Sequence, residues 1–123
     1  MSGIVKYLLD THIVIGMYGL APAVLTLLAN YGADTSNAGI SPITRIELLC
    51  HPDLTDADRS GLEAVLSHLV RYALDPKVED AAIAIRRATR TKTPDAIILA
   101  TAQVHGLQLL TLDQRLATLA AKT

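Results

Sequence analysis

Residues 92–102, Lys-Thr-Pro-Asp-Ala-Ile-Ile-Leu-Ala-Thr-Ala, predict a helix with one carboxylate, Asp95, at its otherwise apolar start. Thr93 is a favourable N-cap residue, and Pro94 is favoured at the first helical position. Asp95 therefore falls in the first turn, where unpaired backbone N–H groups and the helix dipole stabilise an anion. A helical wheel places the carboxylate on the core-facing side. Asp95 is either a partner of the helix dipole or part of a chemical site, and the second interpretation needs further acidic residues nearby.

The composition predicts one α/β domain over residues 1–123. Half of the 123 residues are hydrophobic, with no Phe or Trp and four Tyr. A chain of this length supports one core, and a core of Leu, Ile, Val and Ala suits helices packed on a parallel sheet. The scarcity of aromatic side chains argues against a base-stacking surface, and the formal net charge of −1 gives no overall attraction for polyanions.

Cysteine use and hydropathy predict a cytoplasmic protein. The lone Cys50 cannot form an internal disulfide, and the four histidines lack the spacing of a zinc site. Residues 11–33 contain no charged side chain and are long enough for a membrane span. Glycines and a proline interrupt the segment, so it is predicted as two short helices, 11–18 and 22–31, with no membrane partner. Lys6 interrupts the N-terminal apolar run, so no signal peptide is expected.

Short apolar segments predict strands whose carboxyl ends carry acids. The predicted strands are residues 4–9, 38–40, 70–74 and 107–110, of which 70–74 also suits a helix. Asp10 follows the first strand, and Asp113 follows the last after Thr111. Because strands and helices alternate, the carboxyl ends of the strands should share one edge, where parallel sheets bind ligands. For Asp10, capping of the next helix is an equally open interpretation.

Glu47 is predicted on the apolar side of a helix that Ser41 caps and that reaches residue 50. The helical wheel groups its carboxylate with Ile43, Ile46 and Cys50. Thr44 and Arg45 are predicted on the polar side. Because a buried carboxylate needs a cation, hydrogen bonds or a metal, this position favours function. The alternative is a simple ion pair with Arg45 or Lys6.

A basic run precedes Asp95 at the end of a helix predicted from residue 77 to about residue 90. It consists of Arg86, Arg87, Arg90 and Lys92. Cations at a helix C-terminus balance the helix dipole, which is one sufficient explanation. The functional interpretation is contact with phosphate groups.

The acidic residues as a set predict metal-dependent hydrolysis. Asp10, Glu47, Asp95 and Asp113 are all predicted near one edge of the sheet. Carboxylates gathered in this way need a cation, and oxygen ligands suit Mg²⁺ or Mn²⁺ better than zinc. Such an ion lowers the pKa of bound water and stabilises developing oxyanions, which is the chemistry of phosphodiester hydrolysis. The sequence has no catalytic-triad spacing, glycine-rich phosphate loop or dinucleotide motif that would compete with this interpretation.

Four segments resemble, in order, the signature of the PIN domain family. They are Leu8-Leu9-Asp10-Thr11, Ile40-Ser41 followed by Thr44 and Glu47, the Pro94-Asp95 helix, and Leu110-Thr111-Leu112-Asp113. The chain looks most like the VapC-type toxins of toxin–antitoxin pairs. His12 departs from the pattern, because Asn or Ser is common there.

The resemblance implies a fold, an activity and partners. The fold would be an α/β, three-layer PIN-like domain with a central parallel sheet of four to five short strands flanked by helices. The activity would be a Mg²⁺-dependent endoribonuclease. Its catalytic and metal-binding residues would be Asp10, Glu47, Asp95 and Asp113, supported through hydrogen bonds by Thr11, Ser41 and Thr111. The partners would be RNA, a small antitoxin that occludes the active site, and a second copy in a homodimer.

Two other function classes share parts of this pattern. A receiver-like phosphoacceptor domain also carries acids at strand ends, but it needs adjacent acids after the first strand and a later Lys that this sequence does not provide. A catalytically silent PIN-like binding module would retain the same residues. Cleavage of RNA with Mg²⁺, stopped by EDTA, distinguishes the enzyme from the binding module.

Overall fold

Four short strands and seven helices make up residues 4–122, the part of the chain that the computed structural model describes. In chain order they are β1 (Tyr7–Leu9), α1 (Thr11–Tyr18), α2 (Pro22–Tyr31), β2 (Ala38–Ile40), α3 (Thr44–Leu49), α4 (Asp56–Ser67), β3 (Val70–Arg71), α5 (Pro76–Ala88), α6 (Thr93–His105), β4 (Gln108–Leu110) and α7 (Gln114–Ala121).

The sheet is entirely parallel and has the strand order β3-β2-β1-β4. Leu9 of β1 packs with apolar side chains of α1, α2 and α4 on one face, whereas Leu8 packs with those of α6 and α7 on the other. The alternation follows from the two-residue period of a strand. Helices therefore cover both faces of the sheet, and the predicted α/β class with a parallel, helix-flanked sheet of short strands is confirmed.

Several predicted elements are shorter in the structure. β1 begins at Tyr7 instead of residue 4, β3 contains only two residues, and α5 spans Pro76–Ala88. α5 stops before residue 90 because Thr89 is extended and its hydroxyl donates to the carbonyl of Ile85 (2.8 Å). A side chain that bonds to the last turn in this way competes with continuation of the helix.

The start of α6 corrects the predicted cap. Lys92 occupies the N-cap position, so Thr93 and Pro94 are the first two helical residues. The Thr93 hydroxyl does not cap the helix, because it accepts a hydrogen bond from Arg86 (2.8 Å). Asp95 still lies in the first turn, as predicted, and Gly106 ends the helix in the left-handed conformation.

α3 corrects both a predicted boundary and a predicted face. The helix begins at Thr44, and the Ser41 hydroxyl accepts from the N–H of Ile43 (3.3 Å) within the preceding turn. Thr44 is fully buried, although the wheel placed it on the polar side, and Ile46 is 61% exposed. Thr44 faces inward because its hydroxyl bonds with those of Ser41 and Thr11, so hydroxyl pairing and not hydropathy sets the rotation of this six-residue helix.

α1 and α2 form a bent pair packed at a glycine. A Cβ at Gly16 would lie 2.3 Å from Cγ2 of Val24, so the two helices touch where no side chain separates them. Leu20, between the helices, has a φ of 57°. No single helix within residues 4–122 is long and apolar enough to cross a membrane. α1 and α2 together pass on length and composition, but they are bent by 109°.

Candidate active site

Asp10 lies at the carboxyl end of β1 and is only 3% exposed. Its Oδ1 atom accepts from the N–H of Ile13 (2.9 Å), so Asp10 caps α1. Its Oδ2 atom accepts a hydrogen bond from the Thr111 hydroxyl. Asp10 is therefore a helix cap and a buried carboxylate held on each oxygen. The capping interpretation is confirmed, and a role of Asp10 in chemistry stays a prediction.

β4 brings Thr111 and Asp113 to the same edge, because β4 is the parallel neighbour of β1. The Thr111 oxygen accepts from the N–H of Asp113 (3.0 Å) while its hydroxyl donates to Asp10. The Asp113 carboxylate accepts from the N–H of Leu116 (3.1 Å) and caps α7. The hydroxyl of Thr111 thus links the segments that carry the first and last acids of the candidate set.

Glu47 reaches this edge from α3 and accepts a hydrogen bond from the Thr11 hydroxyl (2.6 Å). The Thr11 oxygen lies 3.4 Å from that of Thr44, which lies 3.3 Å from that of Ser41. The alternative of an ion pair between Glu47 and Arg45 is wrong, because Arg45 binds Glu63 through Nε (2.9 Å) and Nη2 (3.0 Å). A chain of hydroxyl groups, without a basic residue, orients Glu47.

Asp95 is electrostatically coupled to the other three acids. Burial raises the pKa of Asp95 above its ordinary value, and the charges of Asp113, Glu47 and Asp10 raise it further. Arg115 lowers the pKa, and its guanidinium also donates to Thr91 (3.2 Å). No local sequence pattern indicates the role of Arg115, because this side chain comes near Asp95 only through the packing of α7 on α6.

The four acidic residues have the ligand atoms that a hard divalent cation prefers, but they are not arranged as a ready metal site. Within residues 4–122, no three His, Cys, Asp or Glu side chains converge closely enough to hold a metal ion. Like charges oppose such convergence, and a divalent cation would offset that repulsion. All four side chains offer carboxylate oxygens, the ligands that Mg²⁺ and Mn²⁺ prefer, and the charges of the other three together raise the pKa of Asp95.

The basic run divides into two roles. Arg86 bridges the connection between α5 and α6, since it donates to the carbonyl of Thr91 (3.1 Å) and to the hydroxyl of Thr93 (2.8 Å). Arg87, Arg90 and Lys92 are exposed, and none of them forms a side-chain hydrogen bond or ion pair with a described residue. Arg86 therefore positions the start of α6, a structural role that sequence reasoning missed, and the other three cations face solvent.

We expect Asp95→Asn to leave the metal-free protein as stable as the wild type or slightly more stable at pH 7, by less than about 1 kcal/mol. The folded state raises the pKa of Asp95, so the ionised carboxylate destabilises the fold at neutral pH. The difference in the free energy of unfolding between variant and wild type should shrink as the pH falls through the raised pKa. It should vanish well below about 3.9, where Asp is protonated in both the folded and the unfolded state. Urea unfolding in EDTA at pH 7 and pH 3 measures it. A variant clearly less stable at pH 7 would contradict the coupling.

Comparison with known proteins identifies the family. The PIN domain family model matches residues 7–122. No curated protein sequence matches the chain significantly. A toxin–antitoxin complex from Klebsiella pneumoniae contains a chain that is 27% identical, with a TM-score of 0.76 over 89% of this chain and 88% of that one.

Two other solved structures share the fold. FitAcB from Neisseria gonorrhoeae is 24% identical, with a TM-score of 0.69 over 94% of each chain. PAE2754 from Pyrobaculum aerophilum is 20% identical, with a TM-score of 0.68 over 98% of this chain and 97% of that one. Since the family model covers residues 7–122, nearly the whole sequence, and since the parallel sheet in the order β3-β2-β1-β4 is flanked by helices, the chain belongs to the PIN domain family.

Proposed function

We propose that this protein is a Mg²⁺-dependent endoribonuclease and the toxin of a VapC-type toxin–antitoxin pair. PIN domain membership and the likeness to a chain of a toxin–antitoxin complex support a nuclease toxin in general. The observation that carries the proposed activity is the gathering of carboxylates at the carboxyl edge of the sheet, where Asp10 is buried and bonded to Thr111 and Glu47 is bonded to Thr11. The raised pKa of Asp95, caused by burial and by the other three acids, agrees with this gathering. Such coupled carboxylates favour a cation and an anionic substrate held by it. RNA as the substrate and the lone Cys50 favour a cytoplasmic location.

In this proposal, Asp10, Glu47, Asp95 and Asp113 bind the metal ion. A bound Mg²⁺ ion supplies an activated water and charge for the developing oxyanions. Thr111 fixes the orientation of the Asp10 carboxylate, and Thr11 fixes that of Glu47. Ser41 acts indirectly, through the hydrogen bond between its hydroxyl and that of Thr44. Hydrogen bonds of this kind orient ligands and tune their affinity for a metal.

The decisive experiment is incubation of purified protein with single-stranded RNA in Mg²⁺, with and without EDTA. We expect internal cleavage that needs the metal, and Mn²⁺ should replace Mg²⁺. A catalytically silent binding module is the second candidate, favoured by the lack of a ready-made three-ligand metal site within residues 4–122. RNA that stays intact in both metals would support that candidate and contradict the ribonuclease.

An antitoxin partner is proposed for the outer surface of the α1–α2 pair. This surface exposes apolar side chains that a partner would cover, namely Ile15, Tyr18, Leu20 and Leu25. A groove of about 750 Å³ runs from Leu27 and Tyr31 of α2 along β4 to Thr111, which binds Asp10. An amphipathic segment that covers α2 and enters this groove would end at the acidic residues and occlude them.

Leu25→Glu is expected to weaken antitoxin binding by at least about 10-fold, because Leu25 is 41% exposed on α2 and its replacement places a charge on an apolar contact surface. Calorimetric titration with the antitoxin measures the loss. Ile83→Glu on α5 is the matched control, since it also charges an exposed apolar position. Sedimentation of both variants tests the proposed homodimer. If Leu25→Glu keeps wild-type antitoxin affinity and oligomeric state, neither partner uses this surface.

Arg87, Arg90 and Lys92 are proposed to bind the RNA backbone, together with any donor that Arg86 has left after its two structural hydrogen bonds. Each single replacement of the three solvent-facing cations by Ala should lower the salt slope of single-stranded RNA binding by about 0.7. Fluorescence anisotropy over a salt series measures this slope. A triple variant with the wild-type slope would leave only the balance of the helix dipole as their role.

A further inference from the structure

A second cleft lies beside the acidic residues at the carboxyl edge of the sheet. Its volume is about 500 Å³. The side chains and turns that line it are those of Ser41, Pro42, Arg45, Arg71, Tyr72 and Ala73. Among these there are two arginines and no acid, so the cleft suits an anion. Its volume falls within the range of ordinary small-ligand sites.

The strand order sets the distance between this cleft and the acidic residues. Asp10 follows β1, Ser41 follows β2, and Arg71 is the last residue of β3, so the three residues lie at the ends of successive strands. Neighbouring strands are about 4.8 Å apart, which places the backbone of Arg71 about 10 Å along the edge from that of Asp10. The N–H of Tyr72 donates to the carbonyl of Ile40 (3.2 Å) and holds the end of β3 in this position.

The wall of the cleft is fixed by Tyr72. The ring packs directly against Gly39, where a Cβ would lie 2.7 Å from Cε2 of Tyr72. It also contacts the ring of His105, with the centroids 4.2 Å apart. Because Tyr72 is held from both sides, the cleft is preformed and a ligand need not order it.

The two arginines of the cleft differ in their partners. Glu63 binds the guanidinium of Arg45 through two hydrogen bonds and neutralises it. Arg71 is exposed and forms no side-chain hydrogen bond or ion pair with any residue between 4 and 122. Arg71 is therefore the cation of the cleft that remains available. A guanidinium binds phosphate through paired hydrogen bonds as well as charge.

The cleft and the acidic residues also share a wall. Ser41 lines the cleft, and its hydroxyl meets that of Thr44, which meets that of Thr11, the donor to Glu47. A ligand in the cleft would therefore lie next to the groups that orient Glu47.

We propose that this cleft binds the nucleotide adjoining the cleaved bond and that Arg71 contacts its phosphate. The proposal rests on the proposed ribonuclease function and adds the path of the substrate. A single RNA strand that follows the carboxyl edge of the sheet presents one phosphate to the acidic residues and a neighbouring phosphate to Arg71. Arg71 is thus a substrate-binding residue that sets which linkage reaches the carboxylates.

The first arm of the test is cleavage of a single-stranded oligoribonucleotide with one known cleaved linkage. Arg71→Ala is expected to lower kcat/KM about 10-fold, mainly through KM. A series of substrates, each with one neutral methylphosphonate at a different linkage beside the cleaved one, locates the contact. At the contacted linkage, the neutral group should lower the kcat/KM of the wild type about as much as Arg71→Ala does. It should not lower the kcat/KM of the Arg71→Ala variant any further. If the neutral group lowers kcat/KM equally in the wild type and in Arg71→Ala at every linkage, the proposal is overturned.

The second arm measures RNA binding without Mg²⁺ and does not depend on cleavage. Arg71→Ala should lower the salt slope by about 0.7, and Arg71→Lys should keep it. Lys6→Ala is the matched control, because Lys6 is exposed just before β1, at the opposite edge of the sheet. An unchanged slope in Arg71→Ala overturns the proposal, including the case in which this variant loses only antitoxin affinity. A wild type that shows the Arg71-dependent slope but no cleavage would contradict the ribonuclease activity and retain the RNA contact.

Discussion

Replacement of Asp10 by Asn is expected to lower the Mg²⁺-dependent rate of RNA cleavage by about 100-fold or more, and Asp95→Asn should do the same. Each change removes one negative charge from the candidate metal ligands while it keeps the shape of the side chain. An ion bound there supplies several kcal/mol of transition-state stabilisation, and each 1.36 kcal/mol corresponds to a factor of ten in rate. Initial rates at saturating Mg²⁺, with circular dichroism of each variant, measure the effect.

Asp53→Asn is the matched control for these two variants. Asp53 is an exposed carboxylate in the loop before α4, and its charge is not among those that shift the pKa of Asp95. We expect wild-type cleavage from this control. Wild-type activity in Asp10→Asn or Asp95→Asn at saturating Mg²⁺ would remove these residues from the metal site.

Gly16→Ala is expected to destabilise the protein by about 1–3 kcal/mol. The added methyl group would lie 2.3 Å from Cγ2 and 2.7 Å from Cβ of Val24, so α1 and α2 must move apart in a part of the core that is fully buried. Thermal unfolding should show a melting temperature lower by several degrees. Gly19→Ala is the control, because a Cβ there approaches only the carbonyl of Ile15, at an ordinary 3.4 Å.

The double variant Gly16→Ala with Val24→Ala identifies the cause. Truncation of Val24 removes the atom nearest the new methyl group, so the pair should be less destabilised than the sum of the single changes. Strict additivity would show that the loss does not come from the contact between the new methyl group and the γ carbons of Val24. This contact also sets the surface proposed for the antitoxin, so Gly16→Ala should weaken that binding even though Gly16 is buried.

The positions of strands and their acidic ends follow from local sequence. Apolar runs followed by Asp10 or by Thr111 and Asp113 predicted both the parallel sheet and the edge at which these residues lie, because period and turn chemistry act over a few residues. The bounds of α1 and α2 agree with the predicted ones for the same reason. The start of α6 was displaced by one residue, because Arg86 of another helix binds the hydroxyl expected to cap it.

The features that the sequence did not predict depend on contacts between residues that are distant along the chain. Thr44 was assigned to the polar side of its helix, yet it is buried because it meets Thr11, a residue 33 positions away. The alternative ion pair between Arg45 and Glu47 does not form, because Arg45 binds Glu63 of α4. No local pattern marks Arg71, because it is a single arginine at the end of a two-residue strand, and its availability depends on what surrounds the folded edge.

The pairing of β1 with β4 has a consequence for synthesis. Tyr7 is aligned with Gln108, and Asp10 receives its hydrogen bond from Thr111, so 101 positions separate the two side chains along the chain. Chains fold from the N-terminus as they leave the ribosome, and contacts between distant segments form last. A nascent chain that ends before β4 exposes Asp10 without Thr111, α7 or Asp113. The candidate acidic edge is therefore completed only after β4, Thr111 and Asp113 have been translated, so the segments up to α6 cannot assemble it by themselves.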